Sequence, residues 1–407
     1  MRLHIDGQRA MASWVHGLTS LPWQAATVAT LFAAALAQAQ PPEVALYPQA
    51  AAEYSRWRGG SAVLVADRRG IVFEDYHNGA GPNTAPHIQS ATKAFWAAAF
   101  AIAFEQGWMT LDEPLADTIT EWRDTPKAAI RVVDLLELSS GLEQAVEYIQ
   151  GLNPKADDIY QYVVDELRLV TPSGYHFQYG PSHYYAFGVL LERKLQGAGY
   201  SGDPLQFLQQ WVLDEIQLFP VHWVRDDVGN PHIPNGAHMT ARDMAKYGML
   251  LLNQGRHNDK VLFSPETLSL LLDPAPTNPG HGKFLWLNTP GGRGGFDFQQ
   301  APPFACGGFI YHHGFDDMFA ALGAGKNRLY VIPSIGLVVV RQSLGDYYDT
   351  PDPRAFVDND FLTRLFQGPR GTRAQNLNPI AAEPTTAEDS NGQPTRRCFN
   401  DDFLSDR

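Results

Sequence analysis

Residues 90–107 read SATKAFWAAAFAIAFEQG. This stretch decides the fold because it sets a serine and a lysine three positions apart at the head of an apolar helix. A helix returns to the same face every three to four residues, so Ser90 in the first turn has Lys93 beside it. Serine is a weak nucleophile at its ordinary pKa and needs a neighbouring base. A lysine desolvated among apolar side chains loses enough proton affinity to serve as one. The helix N-terminus adds backbone N–H groups aimed at an oxyanion formed there. A capped surface helix could carry the same four residues, so the surrounding sequence has to decide.

Outward from that helix, SAVLVADRRGIVFEDY (61–76) reads as two short strands about an Asp-Arg-Arg-Gly turn. RLYVIPSIGLVVVRQS (328–343) reads as a second antiparallel pair about Pro-Ser-Ile-Gly. Helices are expected at 90–106, 130–138, 182–196 and 240–254. Strands from both ends with helices between them imply an antiparallel sheet built by the terminal portions, with a helical region inserted at roughly 110–250. The glycine- and proline-rich segment 288–308 reads as a long loop, and residues 368–407 as a polar C-terminal tail with little to bury.

Three further stretches carry a family resemblance. IQSATKAFWAAAFAIAFEQGWMTLDEPLADTI (88–119), with Gly107, Leu111 and Asp112 after the apolar helix, resembles the serine β-lactamase and penicillin-binding-protein superfamily. IRVVDLLELSSGL (130–142) is similar to that family's helix ending in Ser-Gly-Leu, and NGAHMTARDMAKYGMLLLNQG (235–255) to its Thr-Ala-Arg-Asp helix. The matches fall in the family's order over roughly residues 60–345. The resemblance implies an α/β (α+β) fold: an antiparallel sheet flanked by helices plus an all-α domain, with the serine at their interface, over residues 40–367.

Two motifs depart from the family. In FQYGPSHYYAFGVLLERKL (177–195) the register set by Gly188 and Glu192 places Tyr179 at the family's proton-handling tyrosine. Pro181 then stands where the family has an asparagine, and Ser182 or His183 is left as its possible substitute. Tyr184 and Tyr185 sit inside the helical pattern and are expected to pack. The family's Lys-Thr-Gly or His-x-Gly strand edge corresponds to MFAALGAGKN (318–327), a small-residue run with no Lys-Thr-Gly. That run resembles the branch containing 6-aminohexanoate-oligomer hydrolases and related esterases. In that branch the edge contributes a backbone N–H to the oxyanion, which points to Ala321, Gly323 and Gly325 together with Ser90. His313 is the rival for this motif, far upstream of the hairpin.

Composition narrows the function further. The 407 residues are 44% hydrophobic and 12% aromatic, enough for a large core. A net charge of −13 argues against nucleic acid or anionic membrane surfaces as partners. Thirteen histidines without H-E-x-x-H spacing, and two cysteines, argue against a metal site. The apolar run 25–37, followed by Ala-x-Ala patterns, reads as a signal peptide over 1–39, cleaved before Gln38 or Gln40; an uncleaved anchor or a mis-assigned start are the alternatives. No stable membrane insertion is expected after cleavage. Export would let Cys306 and Cys398 pair. The expectation is an exported, periplasmic or secreted serine hydrolase acting on small esters or amides without a cofactor. A β-lactamase or D,D-peptidase, and a non-catalytic binding protein with the same fold, are the alternatives.

Overall fold

The computed structural model describes residues 44–144, 156–292, 309–345 and 356–369. The expected signal segment, Cys306, Cys398 and the tail from residue 370 lie outside the described residues.

Both expected strand pairs are present. β1 (Gly60–Asp67) and β2 (Gly70–Tyr76) turn back on each other, as do β9 (Asn327–Ile332) and β10 (Leu337–Ser343). With β7 (Trp286–Leu287) and β8 (Phe319–Gly323) they form one antiparallel sheet in the order β2-β1-β10-β9-β8-β7. Two small ribbons lie apart from it, β3 (His222–Trp223) with β4 (Ala237–His238), and β5 (Arg256–His257) with β6 (Lys260–Val261).

Helices cover both faces of this sheet, which is why β1 and β10 read as continuous apolar runs. Successive side chains of a strand point to opposite faces. On β10, Arg341 reaches Ser55 of α1 (Pro48–Arg56), whereas Gln342 donates to Met239 O and touches the Met244 sulfur. Met244 belongs to the helix Ala241–Leu252. Gly248 of the same helix packs so close that an added Cβ would lie 2.6 Å from Val338 Cγ1. Val338, Val339 and Val340 are fully buried, each worth about 1.5–3 kcal/mol relative to exposure.

Between the two ends of the sheet run α2 (Trp96–Glu105), α3 (Val132–Leu136), α4 (Ile159–Asp165), α5 (Ser182–Gly197), α6 (Pro204–Leu208), α7 (Ala241–Leu252) and α8 (Pro265–Leu272). The helix expected at 130–138 is shorter. Residues Pro126–Ala129 form a 3-10 turn before it, and Leu138, at φ 58°, ends it in the left-handed region. The helix expected at 90–106 is also divided: Gln89–Phe95 is a 3-10 helix and only then does α2 begin. A final helix, α9 (Asp358–Gln367), follows the sheet. Its neighbour Val357 donates its N–H to the Tyr54 hydroxyl of α1 at 3.1 Å. Among the described residues no helix is long and apolar enough to cross a membrane.

Candidate active site

The 3-10 turn improves on the expected geometry. Three residues per turn eclipse positions i and i+3, so Ser90 and Lys93 line up directly. Lys93 Nζ donates to Ser90 Oγ at 2.8 Å and to Pro234 O at 2.9 Å. Gln89, just before the serine, is held at φ 54°, a left-handed conformation that non-glycine residues rarely adopt. The segment 235–255 supplies what holds this turn. Ile88 N–H donates to Ala237 O, Ala237 N–H donates to the Thr92 hydroxyl, and the Tyr247 hydroxyl of α7 donates to Ala94 O at 2.7 Å.

Lys93 is 5% exposed, and burial lowers its pKa to about 7. The cost of taking an ammonium out of water is what keeps this amine poised to release its proton. Two tyrosine rings wall it in, Tyr179 with its centroid 5.0 Å and Tyr184 5.2 Å from Nζ. The Tyr179 side chain hydrogen-bonds Ser90, and its ring leans on Trp286 of β7 at 5.6 Å between centroids. Burial raises the Tyr179 pKa to about 12, so its hydroxyl is a donor across the working pH range. Tyr179, distant in sequence from Ser90 and Lys93, therefore meets them at one point.

The second motif resolves differently from its relatives. Pro181 is the N-cap of α5. Ser182 and His183 are both buried. The His183 ring nitrogens lie 2.8 Å from Ser140 Oγ and 2.8 Å from Gln178 O, with the Gln144 amide also against Nε2. His183 is thus committed to the Ser-Gly-Leu turn. The oxygen facing Lys93 in place of an asparagine side chain is the backbone carbonyl of Pro234. A backbone acceptor 141 positions away leaves no mark in the sequence; Tyr184, read only as packing, also borders the amine.

At the third motif, Gly323 ends β8 against the nucleophile turn. A Cβ there would lie 2.2 Å from Ile88 O and 3.0 Å from Ala91 N, so only glycine permits the approach. Ala321 lies inside the sheet opposite Leu329, and the Gly325 carbonyl is turned to Arg341 and Ser343. The His313 ring packs against Tyr311 and His312, in a cluster with Phe315 and Phe366. Among the described residues no group of three or more His, Cys, Asp or Glu is arranged to hold a metal ion.

Comparison with known proteins bears on the fold that carries this site. The family profile described as Beta-lactamase matches residues 28–358. The fold is similar to that of a Bacteroides dorei protein provisionally described as a β-lactamase, with a TM-score of 0.58 and 15% identity over 77% of this chain and 95% of that one. It is also similar to a Bacillus anthracis protein provisionally described as a 6-aminohexanoate-dimer hydrolase, with a TM-score of 0.57 and 18% identity over 76% and 85% of the two chains. A third similar structure is EstCE1, described as a hydrolase with promiscuous acyltransferase activity, with a TM-score of 0.55 and 14% identity over 77% and 99%. No curated protein matches the sequence.

Proposed function

Because the chain belongs to the β-lactamase family, we propose that it is a serine hydrolase acting on small esters or amides through an acyl-enzyme on Ser90. The observation that carries this reading is the buried Lys93 amine 2.8 Å from the Ser90 hydroxyl. Neutral Lys93 takes the Ser90 proton as Oγ bonds the substrate carbonyl carbon. The carbonyl electron pair moves onto oxygen, where the N–H of Ser90 and one from the Ala321–Gly325 edge receive it. Collapse expels the alkoxide or amine, protonated through Lys93 and Tyr179. Water then repeats the sequence and frees the acid. No cofactor enters, and an exported enzyme would meet such substrates outside the cytoplasm.

The base must be neutral to work, which fixes a pH dependence. With Lys93 at about 7, kcat/KM for a short ester should rise about tenfold per pH unit below 7 and level off above it, up to the range where Tyr179 ionises. A profile flat from pH 5 to 9 would remove Lys93 from the role of base. Stability follows a related rule. The unfolded lysine, near 10.4, binds more protons than the folded one between pH 7 and about 10.4, so this group's contribution to stability improves as pH rises through that window.

Substrate preference rests on the two motif departures. Pro181 offers no amide to a β-lactam carbonyl, and the small run offers no lysine-threonine pair to its carboxylate. A carboxylate left without such a partner forfeits a charge-assisted hydrogen bond of roughly 1.5–3 kcal/mol, about tenfold to a hundredfold in affinity. Lys326, the cation next to the run, is among the charges holding Asp358 down. A panel of short esters, linear amides and a chromogenic cephalosporin should therefore show esters turned over best. Cephalosporin hydrolysis faster than every ester, lost in Lys326→Ala, would assign a β-lactamase instead.

A further inference from the structure

All four carbonyls of the turn from β8 to β9 are fixed by the protein. Gly323 O accepts from Arg328 Nη1 at 2.8 Å, and Ala324 O from the Asn327 side-chain amide at 2.9 Å. Gly325 O accepts from Arg341 Nη1 at 2.6 Å and from the Ser343 hydroxyl at 2.5 Å, and Lys326 O from Arg341 Nη1 at 2.9 Å. A trans peptide carries its C=O and N–H on opposite edges, so a carbonyl held in place also fixes the direction of the N–H that follows it. Gly325 and Lys326 stand at φ 66° and 59°, and a lysine in that region is strained unless its surroundings impose it.

Arg341 is an expensive way to hold a turn. It is 1% exposed, and its four hydrogen-bond acceptors are Ser55 Oγ and the carbonyls of Arg58, Gly325 and Lys326, none of them a carboxylate. Burying a guanidinium on neutral oxygens is costly, and an apolar side chain of similar volume would avoid that cost but take a donor from each of those carbonyls. Burial lowers its pKa to about 9, which leaves it charged at neutral pH. Arg328, also buried, is held by a two-pronged pair with Asp358, Nε to Oδ1 at 2.6 Å and Nη2 to Oδ2 at 3.3 Å. The turn so gripped abuts the Ser90 segment, through Gly323 on Ile88 and Ala91 and through the Asn327 amide on His87 O at 3.3 Å.

We propose that Arg328 and Arg341, which clamp the carbonyls of Gly323, Gly325 and Lys326, are positioning residues that aim an N–H of this turn at the oxyanion formed above Ser90. The proposal rests on the acyl-transfer reading. It requires the clamp to act on the transition state more than on the bound ester, because the oxyanion exists only there.

The test uses Arg328→Lys and Arg341→Lys, which keep the charge and lose the planar fork. For a short ester, kcat should fall about tenfold to a hundredfold with KM within about twofold. The rate advantage of the oxoester over the matching thionoester should shrink as well, since sulfur is the poorer acceptor for aligned N–H donors. Amide hydrogen exchange across residues 319–328 should quicken in both variants. Folded variants with wild-type kcat and an unchanged thionoester ratio would overturn the proposal. If the arginine variants do not fold, Ser343→Ala, which removes only the hydroxyl on Gly325 O, carries the same measurements with a drop of about threefold, and an unchanged kcat and ratio overturn it. A wild type inert to every ester would defeat the acyl-transfer reading itself. Exchange across 319–328 then decides whether the clamp exists, and unchanged exchange in the variants overturns it.

Discussion

Ser90→Ala should lower kcat on the best ester of the panel by about 10⁴- to 10⁶-fold, because the atom removed is the one on which the proposed catalytic groups converge. Lys93 Nζ reaches it at 2.8 Å and Tyr179 also hydrogen-bonds it. Loss of a nucleophile in a cooperating set removes nearly all of the catalysis that the set provides. The fold should survive. The change deletes the hydrogen bonds to Lys93 and Tyr179 at a half-buried position, about 1 kcal/mol each, and Lys93 keeps its bond to Pro234 O. The check is kcat together with a melting curve; a folded variant retaining more than about a hundredth of wild-type kcat would move the nucleophile elsewhere.

Lys93→Met and Tyr179→Phe should each lower kcat by about 10²- to 10⁴-fold. The double variant should be little worse than the poorer single one. The two groups handle the same proton at the same oxygen, and members of such a unit are not additive. Both substitutions preserve most of the buried volume. Removing the Lys93 charge also lifts a desolvation cost, so Lys93→Met should not destabilise the fold. A double variant slowed by the product of the two single effects would mean that lysine and tyrosine act on separate steps. Full turnover in Tyr179→Phe would transfer the proton role to Tyr184, the other ring beside the amine.

What the sequence made legible was mostly local. The Ser90–Lys93 pairing follows from a spacing of three, and the 3-10 turn changes its pitch without changing the partners. Both hairpins were marked by turns and apolar runs. Tyr179 could be placed through the register of α5, whose Gly188 sits where a Cβ would meet the Tyr160 hydroxyl at 2.4 Å. The strand β7, two residues long, and the helices α1 and α9 at the two ends were not read, because short or flanking elements owe their structure to the sheet they pack on.

The parts of the site that were not legible come from distant backbone. Pro234 O holds Lys93 through an atom that every residue possesses, and only the fold shows that the His183 nitrogens are occupied at Ser140 and Gln178. Gly323 was picked out as one of a small-residue run. Its distinction from Ala321 and Gly325 depends on which of them meets Ile88 and Ala91 across the sheet edge. Arg328 and Arg341 are both buried, with no sequence feature to mark it. Their burial depends on α9 and α1 closing over them, which no local pattern announces.

The most direct test of the central claim is covalent labelling of the folded protein by a fluorophosphonate, followed by mass mapping of the modified residue. The account predicts one label, on Ser90, forming faster as pH rises through about 7 and strongly slowed in Lys93→Met. A label on Ser139, Ser140 or Ser182, or no label on folded protein, would contradict it.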